Sequence, residues 1–262
     1  MRCWIGGVAI LGPGLPGWAA SEAVLAGTRP WQMEDVAPPA PALLPATERR
    51  RASASVRFAL AAATEATASD SDRSALETVF ASGNGDGAVI VSILDALHNA
   101  EGAVSPTQFH NSVHNAAAGY WHISVGSIAA SVSVGGHDAA FASGLLTAAT
   151  AVAARSVSVL LCAYDTPMPP PLAAVRRTDF AFSAGFVLRP APDAASRAAL
   201  DLRYVASAAP EPVQGDLLDA LAAGNAAART LPLLRALARR GKAMLHLPLC
   251  DDAHLELHVT PC

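Results

Sequence analysis

The chain has no cysteine pairing to build on. Its four cysteines, Cys3, Cys162, Cys250 and Cys262, show neither a C-x-x-C pair nor regular spacing. That excludes a disulfide scaffold or thiolate metal site as the organising device, and reduced thiols are expected. There is no basic excess: 18 Lys and Arg stand against 22 Asp and Glu, a net charge of −4. With a pI near 6.0, a nucleic-acid partner is not indicated. Nor does any apolar run approach the ~20 residues that a spanning helix needs. The hydrophobic content of 52% and mean hydropathy of +0.32 are largely alanine, so a folded cytoplasmic protein without a membrane span is expected. A chain of 262 residues can bury a substantial core.

Several motifs are incomplete in informative ways. The apolar stretch after Met1-Arg2 ends at Ala19-Ala20-Ser21, as a leader does, but Gly12, Pro13, Gly14, Pro16 and Gly17 interrupt it, so a strand followed by a loop is expected. Gly12 to Gly17 matches G-x-G-x-x-G. Two prolines inside it remove backbone donors, and no acidic residue ends a second strand about twenty residues on, so a dinucleotide site is not supported. The turn Ser82-Gly-Asn-Gly-Asp-Gly87 lacks the Lys-Ser/Thr of a phosphate loop. His110 and His114 share a helix face, with His122 further on, but no H-E-x-x-H glutamate accompanies them. No metal and no cofactor are expected.

Around these absences, strands alternate with helices. Apolar runs at 3–11, 76–81, 131–134, 156–164 and 180–188 read as strands. Helices are expected over 18–27, 47–67, 88–97 and in the run from Ala139 onward. The proline-rich stretches 29–46 and 165–175 read as irregular. Beyond Pro190 come a strand near 200–207, a helical stretch over 214–240, and a hairpin of 243–249 with 254–259 turning at Asp251-Asp252. The pattern indicates an α/β fold with a mixed, mainly parallel sheet flanked by helices, divided as a domain over 1–190 and a C-terminal helix-hairpin extension over 191–262. Arg49, Arg50 and Arg51, and the Arg235 to Lys242 group including Arg239 and Arg240, are either solvated faces or docking patches for an acidic partner. Cys162, inside an apolar strand, reads as a core residue.

The stretch Ser105 to Asp138 carries most of the functional signal. It holds a helix with small residues at Ala116 to Gly119, where another backbone could come close, a short strand Ser131-Val-Ser-Val134, the turn Gly135-Gly136, and then His137-Asp138 opening a helix. A strand, a glycine turn and a helix N-terminus together present one side chain where negative charge is favoured, a position where enzymes place nucleophiles. Here that side chain is Asp138. His137 beside it points about 100° away on a helix, so the two are not a ready acid–base dyad.

Ser105-Pro106, Asn115, Gly119, Ile123, Gly126, the strand 131–134 and Asp138 fall without a gap on the pattern of β-ketoacyl synthases of the thiolase superfamily. The chain most resembles the single-half, chain-length-factor-like proteins of aryl polyene pathways. The resemblance implies a thiolase-like half-domain. It places Asp138 where the family has its nucleophilic cysteine, and a carboxylate is a poor thioester nucleophile. The family's catalytic histidines come from a second half-domain, whereas His246, His254 and His258 lie in the expected hairpin with no family motif around them. The implied protein is a non-catalytic subunit that pairs with a full-length β-ketoacyl synthase. The strand Ser131, Val132, Ser133 and Val134 would be its partner interface, and Phe109, Ser112, Val113 and Ala116 would shape the end of the acyl tunnel. An acyl carrier protein would be met through the complex, with Arg49, Arg50, Arg51, Arg239 and Arg240 as candidate contacts. The competing readings are a purely structural partner and an enzyme acting on acyl thioesters through Asp138 and His137.

Overall fold

The computed structural model describes residues 1–99, 102–210 and 216–262. In chain order the elements are β1 (Arg2–Leu11), α1 (Trp18–Ala26), α2 (Ala46–Arg51), α3 (Ala54–Ala66), β2 (Glu77–Ala81), α4 (Gly87–His98), α5 (Pro106–Ser112), α6 (Ala116–Val125), β3 (Ser131–Val134), α7 (Ala140–Arg155), β4 (Val159–Asp165), β5 (Phe182–Arg189), β6 (Ala198–Val205), α8 (Leu221–Gly224), α9 (Leu231–Arg239), β7 (Ala243–Cys250) and β8 (Ala253–Pro261). Short 3₁₀ turns join some of them. The eight strands form one sheet in the order β3-β2-β4-β5-β1-β6-β8-β7.

The α/β class holds and the sheet is mixed, but it is not mainly parallel. Only β2 with β3 and β2 with β4 run parallel; the other five ladders are antiparallel. Parallel neighbours need a long crossover. That exists between β2 and β3 through α4 to α6, and between β3 and β4 through α7. The excursion from β4 to β5 contains only a 3₁₀ turn, so β5 returns antiparallel to its neighbour. The strands after residue 190 join this same sheet at β1.

Two apolar layers cover the sheet. One face packs on α3 and α6 through Ala59, Ala63, Phe80, Tyr120, Trp121, Leu160 and Val187. The other packs on α1, α7 and α9 through Ile5, Ile10, Phe141, Leu145, Leu161, Phe186 and Leu234. Toward its far end the sheet curls, so that β7 comes back against α7 and the turn at 137–139. The alanine-rich α3 lies unusually close to the central strands. A Cβ on Gly7 would sit 1.7 Å from the Ala66 carbonyl oxygen, and one on Gly185 would sit 2.7 Å from that of Ala62. Glycine is required there because helix backbone meets strand backbone.

Two expected helices are subdivided. The stretch 47–67 breaks at Ala52-Ser53, where Ser53 accepts from the Val56 N–H and starts α3 afresh; serine competes well as a cap. Of 214–240, residues 214 and 215 lie outside the described residues. The remainder divides at Asn225, whose extended backbone interrupts the helix and whose side chain accepts from the Ala227 N–H at 2.8 Å. The terminal hairpin forms as expected and turns at Asp251-Asp252. Gly119, read as a point of close approach, is exposed with nothing within 4 Å, whereas Ala116 to Ala118 are buried.

Candidate functional site at the Asp138 turn

β3 ends at Gly135-Gly136. Gly136 adopts φ 141°, open mainly to glycine, and His137 follows with φ 52°. The 3₁₀ turn His137–Ala139 then leads into α7, so Asp138 lies one residue ahead of the Ala139 cap, at the positive end of that helix.

Asp138 is clamped. Arg176 Nη1 donates to its Oδ1 at 2.7 Å, and Arg229 Nη2 donates to its Oδ2 at 2.9 Å. His137 Nδ1 lies 3.5 Å from Oδ1. Partial burial alone would raise the pKa of this carboxyl. The hydrogen bond from Arg176 and the charges of Arg229 and Arg176 outweigh burial and hold it below the usual carboxylate range. Both oxygens are engaged by guanidinium groups, which leaves a weak nucleophile and a weak base.

Arg176 is held in turn by Asn84, whose Oδ1 accepts from Nε at 2.8 Å; Asn84 Nδ2 donates to Thr178 Oγ1 at 2.7 Å. Beneath Asn84 lies Asp165 at the end of β4, fully buried. Its carboxylate accepts from Ser82 Oγ at 2.8 Å, the Gly83 N–H at 3.1 Å and the Asn84 N–H at 3.0 Å. Burial pushes its pKa up, and the three donors and the Arg176 charge work against that. The glycine-rich turn 82–87 is therefore structural. It wraps a buried carboxylate of the chain itself and connects it through Asn84 and Arg176 to Asp138. A similar substitution occurs at the first loop, where Glu65 accepts from the Trp18 N–H at 2.6 Å and the Ile10 N–H at 3.2 Å. A side chain of the chain thus fills the N-terminus of α1, where a dinucleotide phosphate would have to bind.

The other residues singled out in the sequence are spread over the molecule. Phe109 is 68% exposed and Val113 45% exposed, on α5 and just after it. Ser112 Oγ donates to the Phe109 carbonyl at 2.9 Å. Ala116 is buried, and with Val113 it lines a cleft closed by Val56, Asn111, His114 and Tyr164 of about 10 Å³. That is room for roughly one water, not for an acyl chain. A larger groove of about 340 Å³ runs along β3 and α7, between Val132, Thr78, Leu146 and Thr150. β3 is the edge of the sheet, and Ser131 and Val132 are exposed.

The candidate carrier contacts are partly engaged within the chain. Arg49 donates to the Ala42 and Leu44 carbonyls, Arg51 pairs with Glu48 at 3.5 Å, and Arg240 pairs with Glu22 at 2.9 Å. Arg50 and Arg239 are exposed. The histidines considered for a metal have other roles. His110 packs edge-on against Tyr120, His114 Nε2 lies 3.1 Å from the Ser82 carbonyl, and His122 Nε2 lies 3.1 Å from Thr78 Oγ1. Among the described residues no three His, Cys, Asp or Glu side chains converge to hold a metal. Cys162 is buried and its thiol is directed at the Ala59 carbonyl, as a core residue would be. Arg176 and Arg229 carried no signal in the sequence, since they lie 38 and 91 residues from Asp138 in segments without a motif. Asp165 carried a faint one: a charge closing a wholly apolar strand before a proline-rich excursion.

The profile of the β-ketoacyl synthase N-terminal domain matches residues 18–246. The chain belongs to the β-ketoacyl synthase N-terminal domain family. No curated protein matches it. Among solved structures, this β-ketoacyl synthase-like chain is similar to one of the ketosynthase ApeO in complex with its chain length factor ApeC from Xenorhabdus doucetiae. The two are 20% identical with a TM-score of 0.72, over 98% of this chain and 99% of that chain. It is also similar to the ishigamide ketosynthase/chain length factor, at 14% identity and TM-score 0.72, over 100% and 99%. A third is a β-ketoacyl synthase from Burkholderia phymatum STM815, at 12% identity and TM-score 0.69, again over 100% and 99%. At these identities the likeness establishes the fold, which is thiolase-like. No described helix is long and apolar enough to cross a membrane.

Proposed function

We propose that this chain is a non-catalytic, chain-length-factor-like subunit. It pairs with a complete β-ketoacyl synthase and shapes that enzyme's acyl tunnel in a type II fatty-acid- or polyketide-like pathway. One observation carries the proposal: where the family pattern has its nucleophilic cysteine, Asp138 stands with each oxygen bound to a different arginine. A thiolate attacks a thioester because it is polarisable and free; this carboxylate is neither. The likeness to ketosynthase and chain length factor complexes supports a pairing role. The aryl polyene pathway is the finer part of the proposal, and it rests on the sequence resemblance together with the likeness to the ApeO–ApeC complex.

Within this reading the edge strand Ser131 to Val134 meets the partner. Phe109, Ser112, Val113 and Ala116 limit the growing chain, since a packed wall resists an extra methylene. Arg50 and Arg239 are the freer of the candidate contacts for an acidic carrier protein. The test has three arms. The purified chain, incubated with acyl carrier thioester, should carry no covalent acyl group by intact mass and should condense nothing. Co-expressed with a complete β-ketoacyl synthase of its source organism, it should co-elute as a heterodimer. In that complex Ala116→Phe should shorten the product. An acyl adduct at Asp138, or condensation by the chain alone, overturns the non-catalytic reading. An unchanged product length leaves a purely structural partner.

A further inference from the structure

α4 is apolar on nearly every side: its sequence is GAVIVSILDALH. A helix of that composition is ordinarily buried all round. Here Gly87 is its one buried residue. Leu94 is 51% exposed and Leu97 58% exposed, and with the half-buried Ile90 they form an i, i+4, i+7 stripe. The exposure is not a loose end of the fold. α4 is started by Asp86, whose side chain accepts from the Val89 N–H at 3.1 Å. It packs on α5, and Gln108 of α5, itself part of a capping box, donates to Ser92 of α4 at 2.6 Å. α5 contributes the exposed Phe109, and Val113 follows it. The two helices are thus a built, capped hairpin with an apolar face left in water.

We infer that the α4–α5 hairpin is a docking arm for the ketosynthase subunit, with Ile90, Leu94, Leu97 and Phe109 as its anchors. The inference rests on the pairing role proposed above and assigns that role a second contact surface beyond the β3 edge. Three observations select this occupant. The four most exposed side chains, Leu94, Leu97, Phe109 and Val113, leave roughly 400 Å² of apolar surface in water, the size at which a patch marks an interaction site. That is about half of the ~800 Å² per partner that a stable interface buries, so the hairpin needs a contiguous neighbour rather than a peptide. The chain provides one: the hairpin is inserted between β2 and β3, and α6, which follows it, packs on both strands. It therefore belongs to the end of the sheet whose edge is open. Finally, Asp95 is the only Asp, Glu, Lys or Arg within α4 and α5, so the partner surface is apolar rather than an acidic carrier protein.

The test measures affinity for the co-expressed ketosynthase by size-exclusion chromatography and biolayer interferometry. Leu94→Glu with Leu97→Glu should weaken association about a hundredfold, as loss of two central apolar anchors does. The melting temperature should be unchanged, because both side chains are in water already. Met33→Glu, at a residue 57% exposed elsewhere on the surface, should change affinity less than twofold. In the unmutated chain, amide exchange along α4 should slow when the complex forms. Wild-type binding with no effect of the double variant and no protection of α4 overturns this inference and leaves the pairing role intact. A wild-type chain that binds no ketosynthase overturns the pairing role and this inference with it. Self-association that the double variant disperses, with ketosynthase binding unaffected, makes a second copy the occupant and also overturns the inference.

Discussion

The two ends of the sheet are finished differently. In the β6-β8-β7 end, one face is buried through Leu200, Leu202, Leu255, Leu257 and Val259. The other face is a run of paired charges: Arg2 with Asp201, and Arg203 with Glu256, which also meets His258. Its edge strand carries Pro248 and an irregular register next to it, two devices that discourage pairing with another strand. The β3-β2-β4 end has helices on both faces and an edge, Ser-Val-Ser-Val, with no charge, proline or bulge. Thr78 N donates to the Ala130 carbonyl at 3.0 Å and Ser82 N to that of Val134 at 3.1 Å. In a parallel ladder this turns the peptide groups of Ser131 and Ser133 outward. One end is complete as it stands, and the other offers open hydrogen bonds, with an apolar hairpin beside it. Within a single sheet, the sequence thus separates a solvated boundary from a receptive one.

The sharpest way to break this comparison is at Asp165, because the open end depends on a buried charge and the closed end does not. Asp165→Ala leaves the buried Ser82 hydroxyl and the half-buried Gly83 N–H without their acceptor, and the Asn84 N–H with only the Ser82 Oγ at 3.4 Å. We expect a loss of about 3 kcal/mol in urea denaturation. Arg203→Ala, which removes an exposed pair at the closed end, should leave the midpoint unchanged. Equal effects of the two would mean that the ends are not built differently.

The next largest effect concerns assembly. Ser133→Pro removes an outward N–H without touching the ladder to β2. On the pairing reading it should reduce ketosynthase binding by about a hundredfold, with little change in thermal midpoint. The matching change at the other edge, Met244→Lys on β7, should do nothing to binding. Loss of binding in both variants, or in neither, would remove β3 as the partner strand.

Much of this contrast was legible in the sequence. The edge strand 131–134, the terminal hairpin and the glycine turn before Asp138 all announce themselves through period-2 alternation and turn residues, which are local signals. Strand direction was not legible. A proline-rich excursion and a helical crossover both read as a gap between apolar runs, so the sheet as a whole reads as mainly parallel, whereas β5 returns antiparallel. The Asp138 clamp was half legible: the carboxylate was visible, but its arginines come from two unmarked segments brought near only by the fold. The breaks at Ser53 and Asn225 lay within reach, since both are capping residues, but the surrounding alanine propensity outweighed them.

A smaller effect separates the carboxylates by pH. Asp138 titrates below its ordinary range when folded, so its contribution is present above about pH 4, the unfolded value, and is lost as pH falls through the folded one. Asp165 has the opposite sign, raised by burial. The pH-dependent part of its contribution is present below about pH 4 and is lost as pH rises through its folded value, separately from its role as acceptor for the three donors. Asp138→Asn should therefore flatten the acid limb of the stability curve below pH 4. The change should stay under about 1 kcal/mol because the side chain is partly in water and screened. An acid limb unchanged by Asp138→Asn would mean that the two arginines do not hold the carboxylate in solution.

The smallest effect is at the closed end. The bonds from Arg203 and His258 hold the Glu256 carboxyl down to about 2. Its contribution is present above the unfolded value of about 4.3 and fades as pH falls toward 2. Arg203 lies largely in water while Glu256 is mostly covered, and salt screens the exposed arginine within about a Debye length of 10 Å at 0.1 M. Glu256→Gln should alter the acid limb only at low ionic strength, and the wild-type and variant curves should coincide in 0.5 M sodium chloride. The Asp138→Asn difference should partly survive the same salt, because Arg176 is largely shielded from solvent. Different salt responses of two surface-reaching carboxylates would show that the charges at the open end are built into the fold, whereas those at the closed end mainly keep its face wet.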